Sequence, residues 1–172
     1  TNMVNKTIKY SEDPVTGEIN NNLLAGEHLW GPPNHPVECW GGDCIEQYMG
    51  TCTKNNYTTT GFPSNDWNTE RLYDKNSTWS KNTLISTVRS DKIAWIDHVG
   101  HSNTGYIMKL YTNDVTNSNF QNDGTNANFF WATTWGCYPG SFDNRSPGGS
   151  YGSDCIAEKF SSGISQFIMS AT

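Results

Sequence analysis

The sequence predicts an α/β fold built on a mainly parallel central sheet, and three observations carry that prediction. Short apolar or β-rich runs alternate with helical patterns along the 172 residues. Clusters of Gly and Pro separate them. The two loops richest in reactive side chains each follow such a run, and α/β sheets bind ligands beyond the carboxyl ends of their strands.

The elements follow in order. Residues 22–25 read as a strand leading into Gly26-Glu27, and Trp30-Gly31-Pro32-Pro33 ends the extended stretch in a loop. Gly41-Gly42-Asp43 then opens a short amphipathic helix. Ile45, Tyr48 and Met49 share one face of it, Asp43 is its predicted N-cap and Gly50 its stop. Residues 57–62 and 71–73 read as strands. Ser80 caps a helix carrying Leu84, Ile85 and Val88 on one face, which feeds a buried strand over 93–96. Residues 112–126 are polar almost throughout and read as a surface loop. The β-rich run 129–135 stops at Gly136-Cys137, with Pro139-Gly140 breaking it again. A helix over 154–162 precedes a last apolar run, 164–169, read as a strand with no helix after it to cover it. Residues 1–172 are therefore expected to form one domain, or one subdomain of a longer chain.

Composition narrows the function. Only 16% of residues are charged while 13% are aromatic, and Asn, Thr and Ser fill the polar positions, a balance expected of an extracellular surface. A formal net charge of −6 and an isoelectric point near 5.0 leave no basic stripe for a phosphate backbone or an anionic membrane. No apolar run approaches the roughly 20 residues that span a bilayer, so no membrane insertion is expected. The start, Thr1-Asn2-Met3-Val4-Asn5-Lys6, lacks the apolar segment of an export signal, and any such signal is expected to have been removed. The sequons at Asn5, Asn56, Asn76 and Asn144 decide nothing in a chain this rich in Asn and Thr.

Five cysteines, an odd number, point in a secreted chain to a thiol with a role of its own. Cys39, Cys44 and Cys52 lie close enough in sequence for a local disulfide such as Cys39 to Cys52, with the connectivity open. Cys39 and Cys44 have four residues between them rather than the two of redox motifs, which argues against a redox protein. Cys137 and His101 are the candidate pair. A cysteine acts as a nucleophile through its thiolate, and an imidazole within reach takes the thiol proton. On pattern alone, a buried thiol and a loop histidine explain the same residues equally well.

Longer blocks separate the two explanations. Ile96-Asp97-His98-Val99-Gly100-His101-Ser102-Asn103, then Gly136-Cys137-Tyr138-Pro139-Gly140-Ser141-Phe142-Asp143, then Ile156-Ala157-Glu158-Lys159-Phe160 resemble the gingipain-type cysteine peptidases, relatives of the caspases. Upstream, Ala25-Gly26-Glu27-His28-Leu29-Trp30 and Trp40-Gly41-Gly42-Asp43 resemble two further blocks in the same order. Ordered blocks recur by chance far less often than any one of them.

The resemblance implies a caspase-like three-layer sandwich. Cys137 would attack the scissile carbonyl, with His101 as acid and base and the backbone N–H groups of Ser102 and Cys137 as the oxyanion hole. Glu27 would support the catalytic histidine. Asp43 would sit at the base of a pocket for a basic side chain, Arg or Lys, before the cleaved bond. Ser102 stands where the commonest family pattern has glycine. The resemblance further implies protein or peptide substrates, a secreted or bacterial-surface location and structural calcium, for which Asp114, Asn122 and Asp123 offer hard oxygen ligands. The alternative is an inactive relative that keeps the fold for binding. His98 and His101 lack a third residue at a familiar zinc spacing, and Trp95, Phe129, Phe130, Trp131 and Trp135 are expected to pack in the core rather than form a carbohydrate platform.

Overall fold

The computed structural model describes residues 2–54, 57–143, 150 and 152–163. Its centre is a sheet of four parallel strands, β1 (Asn21–Gly26), β2 (Asn68–Tyr73), β3 (Trp95–Val99) and β4 (Trp131–Thr134), in the spatial order β4-β3-β1-β2. The helices are α1 (Asn2–Glu12), α2 (Gly41–Ile45), α3 (Lys81–Ser90) and α4 (Ile156–Ser162).

Side chains alternate across the strands, so each face of the sheet needs its own cover. Leu23, Ile96 and Ala132 stand side by side in one register row. They pack with Ala25 against Leu84, Ile85 and Val88 of α3 and Ile156 and Phe160 of α4. On the other face Leu24, Tyr73 and Val99 meet Ile45 of α2. Helices on both faces give the three layers of a caspase-like sandwich. Each fully buried Leu, Ile or Phe contributes about 1.5–3 kcal/mol, so the larger cluster holds the sheet to α3 and α4.

The α3 start matches expectation: Ser80 Oγ accepts from the Thr83 N–H at 3.2 Å and forms a capping box. Elsewhere the boundaries shift. The third strand runs over 95–99 rather than 93–96, because the Ile93 N–H closes the end of α3 on the Val88 carbonyl. The expected β-run at 129–135 pairs only over Trp131–Thr134. Phe129 and Phe130 are buried, but Phe130 enters a ring cluster with Phe120 and Phe160 before the strand begins. Trp135 is 65% exposed, contrary to its expected place in the core.

Asp43 is not the N-cap of its helix. Trp40 occupies that position without a side-chain bond, and the helix tightens into a 3₁₀ turn at Glu46–Met49 before Gly50. The polar loop over 112–126 does follow the surface, but Phe120 and Asn122 are buried and pin it down. The apolar run 164–169 lies outside the described residues.

Candidate active site

The site is built on strand register. His98 of β3 pairs with Thr134 of β4, and the Trp135 N–H donates to the His98 carbonyl at 2.9 Å. His101 and Cys137 each follow their member of that pair by three residues, so the two loops leave neighbouring strands at the same sheet end. Both side chains are exposed there. The loops are clipped together: Ser102 Oγ donates to the Cys137 carbonyl at 2.9 Å.

A third loop joins them from β1. The Glu27 N–H donates to the Val99 carbonyl at 3.0 Å, and the Gly41 N–H donates to the Glu27 carbonyl at 2.8 Å. This packing requires glycine, since a Cβ on Gly26 would stand 2.2 Å from the Gly42 nitrogen. Glu27 is thereby carried into the interior, 3% exposed.

Its carboxylate makes no hydrogen bond to the His101 ring and reaches that residue through the backbone instead. Oε2 accepts from the His101 backbone N–H at 3.2 Å, while Oε1 lies 3.1 Å from Nε2 of the fully buried His98. A carboxylate only accepts, which assigns the hydrogen to His98 Nε2. Nδ1 of the same ring then accepts from Thr134 Oγ1 at 2.7 Å, and Thr134 Oγ1 accepts from the Gly136 N–H at 3.2 Å. One buried chain of bonds thus links the backbone before Cys137 to the backbone of His101.

The support of the His101 ring comes from main chain. Nε2 lies 3.0 Å from the His28 carbonyl, which can only accept. The neutral ring therefore carries its hydrogen on Nε2 and a lone pair on Nδ1, the form a general base requires. Sequence reading missed both this contact and the chain through His98 and Thr134. A carbonyl has no signature in the sequence, and His98 lies inside a recognised block but was weighed only as a metal ligand.

Ser102 stands at a position where the backbone is not left-handed, so the side chain is accommodated without strain. Tyr138 is the exception, with φ at 60°, a conformation that costs a non-glycine residue roughly 1–3 kcal/mol. It immediately follows Cys137, and the Ser102 clip holds the carbonyl between them.

Asp43 lies in the first turn of α2, and both its oxygens are taken by Lys75 Nζ at 2.8 and 2.9 Å. The candidate calcium ligands are engaged within the chain: Asp114 pairs with Lys81 at 2.7 Å, Asp123 accepts from the Thr125 and Asn126 N–H groups, and Asn122 donates to the Ile93 and Asn128 carbonyls. Among the described residues no three His, Cys, Asp or Glu side chains gather to hold a metal ion. Cys39, Cys44 and Cys155 are free thiols, so the Cys39–Cys52 disulfide is absent. Among the described residues no helix is long and apolar enough to cross a membrane.

A parallel sheet that brings a cysteine and a histidine to adjacent strand ends is the arrangement expected of a caspase-like cysteine peptidase. The chain belongs to peptidase family C25, whose family model matches residues 1–163. Searches of curated proteins and of solved structures return no match.

Proposed function

We propose that the protein is a secreted or surface cysteine endopeptidase that uses Cys137 as nucleophile and His101 as base, cleaving after a basic residue. The observation that carries this is the pairing of His98 with Thr134, which puts His101 and Cys137 each three residues past one paired position of adjacent strands, with the His101 ring bonded to the His28 carbonyl.

His101 Nδ1 takes the thiol proton, and the Cys137 thiolate adds to the scissile carbonyl carbon. The resulting oxyanion receives the backbone N–H groups of Ser102 and Cys137. Collapse expels the amine, which takes the proton from His101 and leaves a thioester on Cys137. Water, deprotonated by His101, then attacks the thioester, releasing the acid and restoring the thiol. Substrates are proteins or peptides, in keeping with family C25.

Asp43 is the candidate partner of a basic side chain, which would have to displace Lys75 from it. Rates of thiol alkylation at neutral pH test the mechanism. Cys137 should react much faster than Cys155, which is buried, and lose that advantage in His101→Ala; equal, slow rates would exclude an activated thiol. Cleavage of matched peptides with Arg, Lys or Leu before the scissile bond, repeated in Asp43→Asn, tests specificity, and a charge preference unaffected by that change removes Asp43 from the pocket.

A further inference from the structure

Cys39 and Cys44 flank the start of α2. The short strand Cys39–Trp40 pairs antiparallel with His28–Trp30, with Cys39 opposite Trp30, and the chain then turns directly into α2 at Gly41. Trp40 is the N-cap, so Cys39 holds the position before the cap and Cys44 the fourth position of the helix. Side chains at those two positions meet in the staple that fixes how a chain enters a helix. In most staples both are apolar. Here both are thiols, and the two are in hydrogen-bond contact. Four residues intervene rather than the two of redox motifs, but the turn into α2 closes the gap that the sequence leaves.

Exposure suits this pair to exchange chemistry more than to packing. Cys44 is exposed and Cys39 half-buried, and both are free thiols. Cys155, by contrast, is buried, which keeps a thiol from reagents. Burial first, then the neighbouring Cys44 and Asp43, push the Cys39 thiol pKa up. The two thiols therefore have different roles: exposed Cys44 meets a reagent first, and Cys39 stands against it to take the second step.

We propose that Cys39 and Cys44 form a reversible oxidation site that reacts with a small disulfide such as oxidised glutathione. The Cys44 thiolate attacks one sulfur of the reagent, forming a mixed disulfide and expelling a thiolate that takes up the proton Cys44 lost. The Cys39 thiolate then attacks the Cys44 sulfur, closing the Cys39–Cys44 bond, and the second small thiol leaves with the Cys39 proton. Two cysteines are oxidised and one small disulfide is reduced to two thiols. The product ties α2 to the strand paired with His28, whose carbonyl bonds the His101 ring. No substrate takes part, so the site stands or falls independently of the peptidase reading.

The test equilibrates the unmodified protein, native and in denaturant, with graded ratios of reduced and oxidised glutathione. Remaining thiols are alkylated and mapped by mass spectrometry. A Cys39–Cys44 bond is expected in the native protein, with no glutathione adduct accumulating on Cys44 and full reversal by dithiothreitol. Contact in the fold should favour the bond about 10-fold or more over the denatured chain, where proximity in sequence acts alone. By the same cycle the oxidised protein should resist denaturant by that factor, about 1.4 kcal/mol. Cys39→Ser should stop at a glutathione adduct on Cys44. A lasting adduct on Cys44 in the unmodified protein, pairing of either cysteine with Cys52, Cys137 or Cys155, or equal equilibria in native and denatured protein overturns the proposal.

Discussion

Replacing Glu27 distinguishes two ways a carboxylate can serve a catalytic histidine. Glu27→Ala removes the acceptor of two hydrogen bonds, from His98 Nε2 and from the His101 N–H, inside a site where the residue is almost wholly buried. Bonds to a charged group contribute about 1.5–3 kcal/mol each, and breaking a buried pair costs about 3–5 kcal/mol. At about 2–4 °C per kcal/mol for a chain of this size, the melting temperature should fall by roughly 6–20 °C. Glu27→Gln is milder. Its carbonyl still accepts from the His101 N–H, and its amide can face His98 if that ring shifts its hydrogen to Nδ1 and donates to Thr134. About 1–2 kcal/mol is expected. Since Glu27 touches the backbone of His101 and not its ring, kcat/KM of Glu27→Gln should stay within about 10-fold of the unmodified enzyme. A carboxylate bonded directly to the catalytic ring would cost about 10⁴-fold when made an amide. Thermal melts and peptide hydrolysis on both variants decide the matter. A loss near 10⁴-fold in Glu27→Gln with an unchanged melting temperature would refute the backbone role.

Three further outcomes follow from the same contacts. Lys6 is buried with Nζ donating to the Ser161 carbonyl at 2.8 Å, and burial lowers its pKa from 10.5 to about 8. The unfolded chain then binds more protons between those values, so this residue's contribution to stability rises as pH goes from about 8 to 10.5. Denaturant titrations should show that rise, on the order of 2–3 kcal/mol, flattened in Lys6→Met relative to the unmodified protein. Gly26→Ala forces a Cβ against the Gly42 backbone, which no side-chain rotation relieves, and should cost about 3 kcal/mol or more, read as a lowered denaturation midpoint. Ser102→Ala loses the bond to the Cys137 carbonyl; stability should change by about 1 kcal/mol or less, while kcat falls several-fold at constant KM.

Much of the fold was legible because its signals are local. Ser80 with Leu84, Ile85 and Val88 marks a capped, one-sided helix wherever it docks, and the alternation of strand and helix patterns implies parallel pairing. Strand ends were less legible, because they depend on partners. Ile93 looks like strand, yet its N–H completes α3, and Trp135 looks like core, yet pairing stops one residue earlier. Asp43 has the chemistry of an N-cap, but the close approach of Gly41 and Gly42 to the β1 loop starts the helix before it. Cys137 and His101 could be picked out because their blocks occur in order. The groups that hold them could not: the His28 carbonyl is common to every residue, and the link from Glu27 through His98 to Thr134 joins three strands whose register appears only in the folded sheet.

The two aspartates show how far residue type alone reaches. Asp43 and Asp97 are both acids near the catalytic loops, and family pattern favours Asp43. Burial and pairing separate them. Asp43 meets Lys75 in a half-exposed ion pair, an interaction that contributes at most about 1 kcal/mol and can open to solvent. Asp97 is buried and pairs with no cation among the described residues, and burial raises its carboxyl pKa against the pull of its bonds to Thr133 and Trp95. Linkage fixes the direction: the folded state holds the Asp97 proton more tightly than the unfolded chain, so stability should fall as pH rises through and just above the usual carboxylate range, and Asp97→Asn should flatten that part of the profile in denaturant titrations. A profile left unchanged by Asp97→Asn, or flattened by Asp43→Asn instead, would refute this reading of the buried carboxylate.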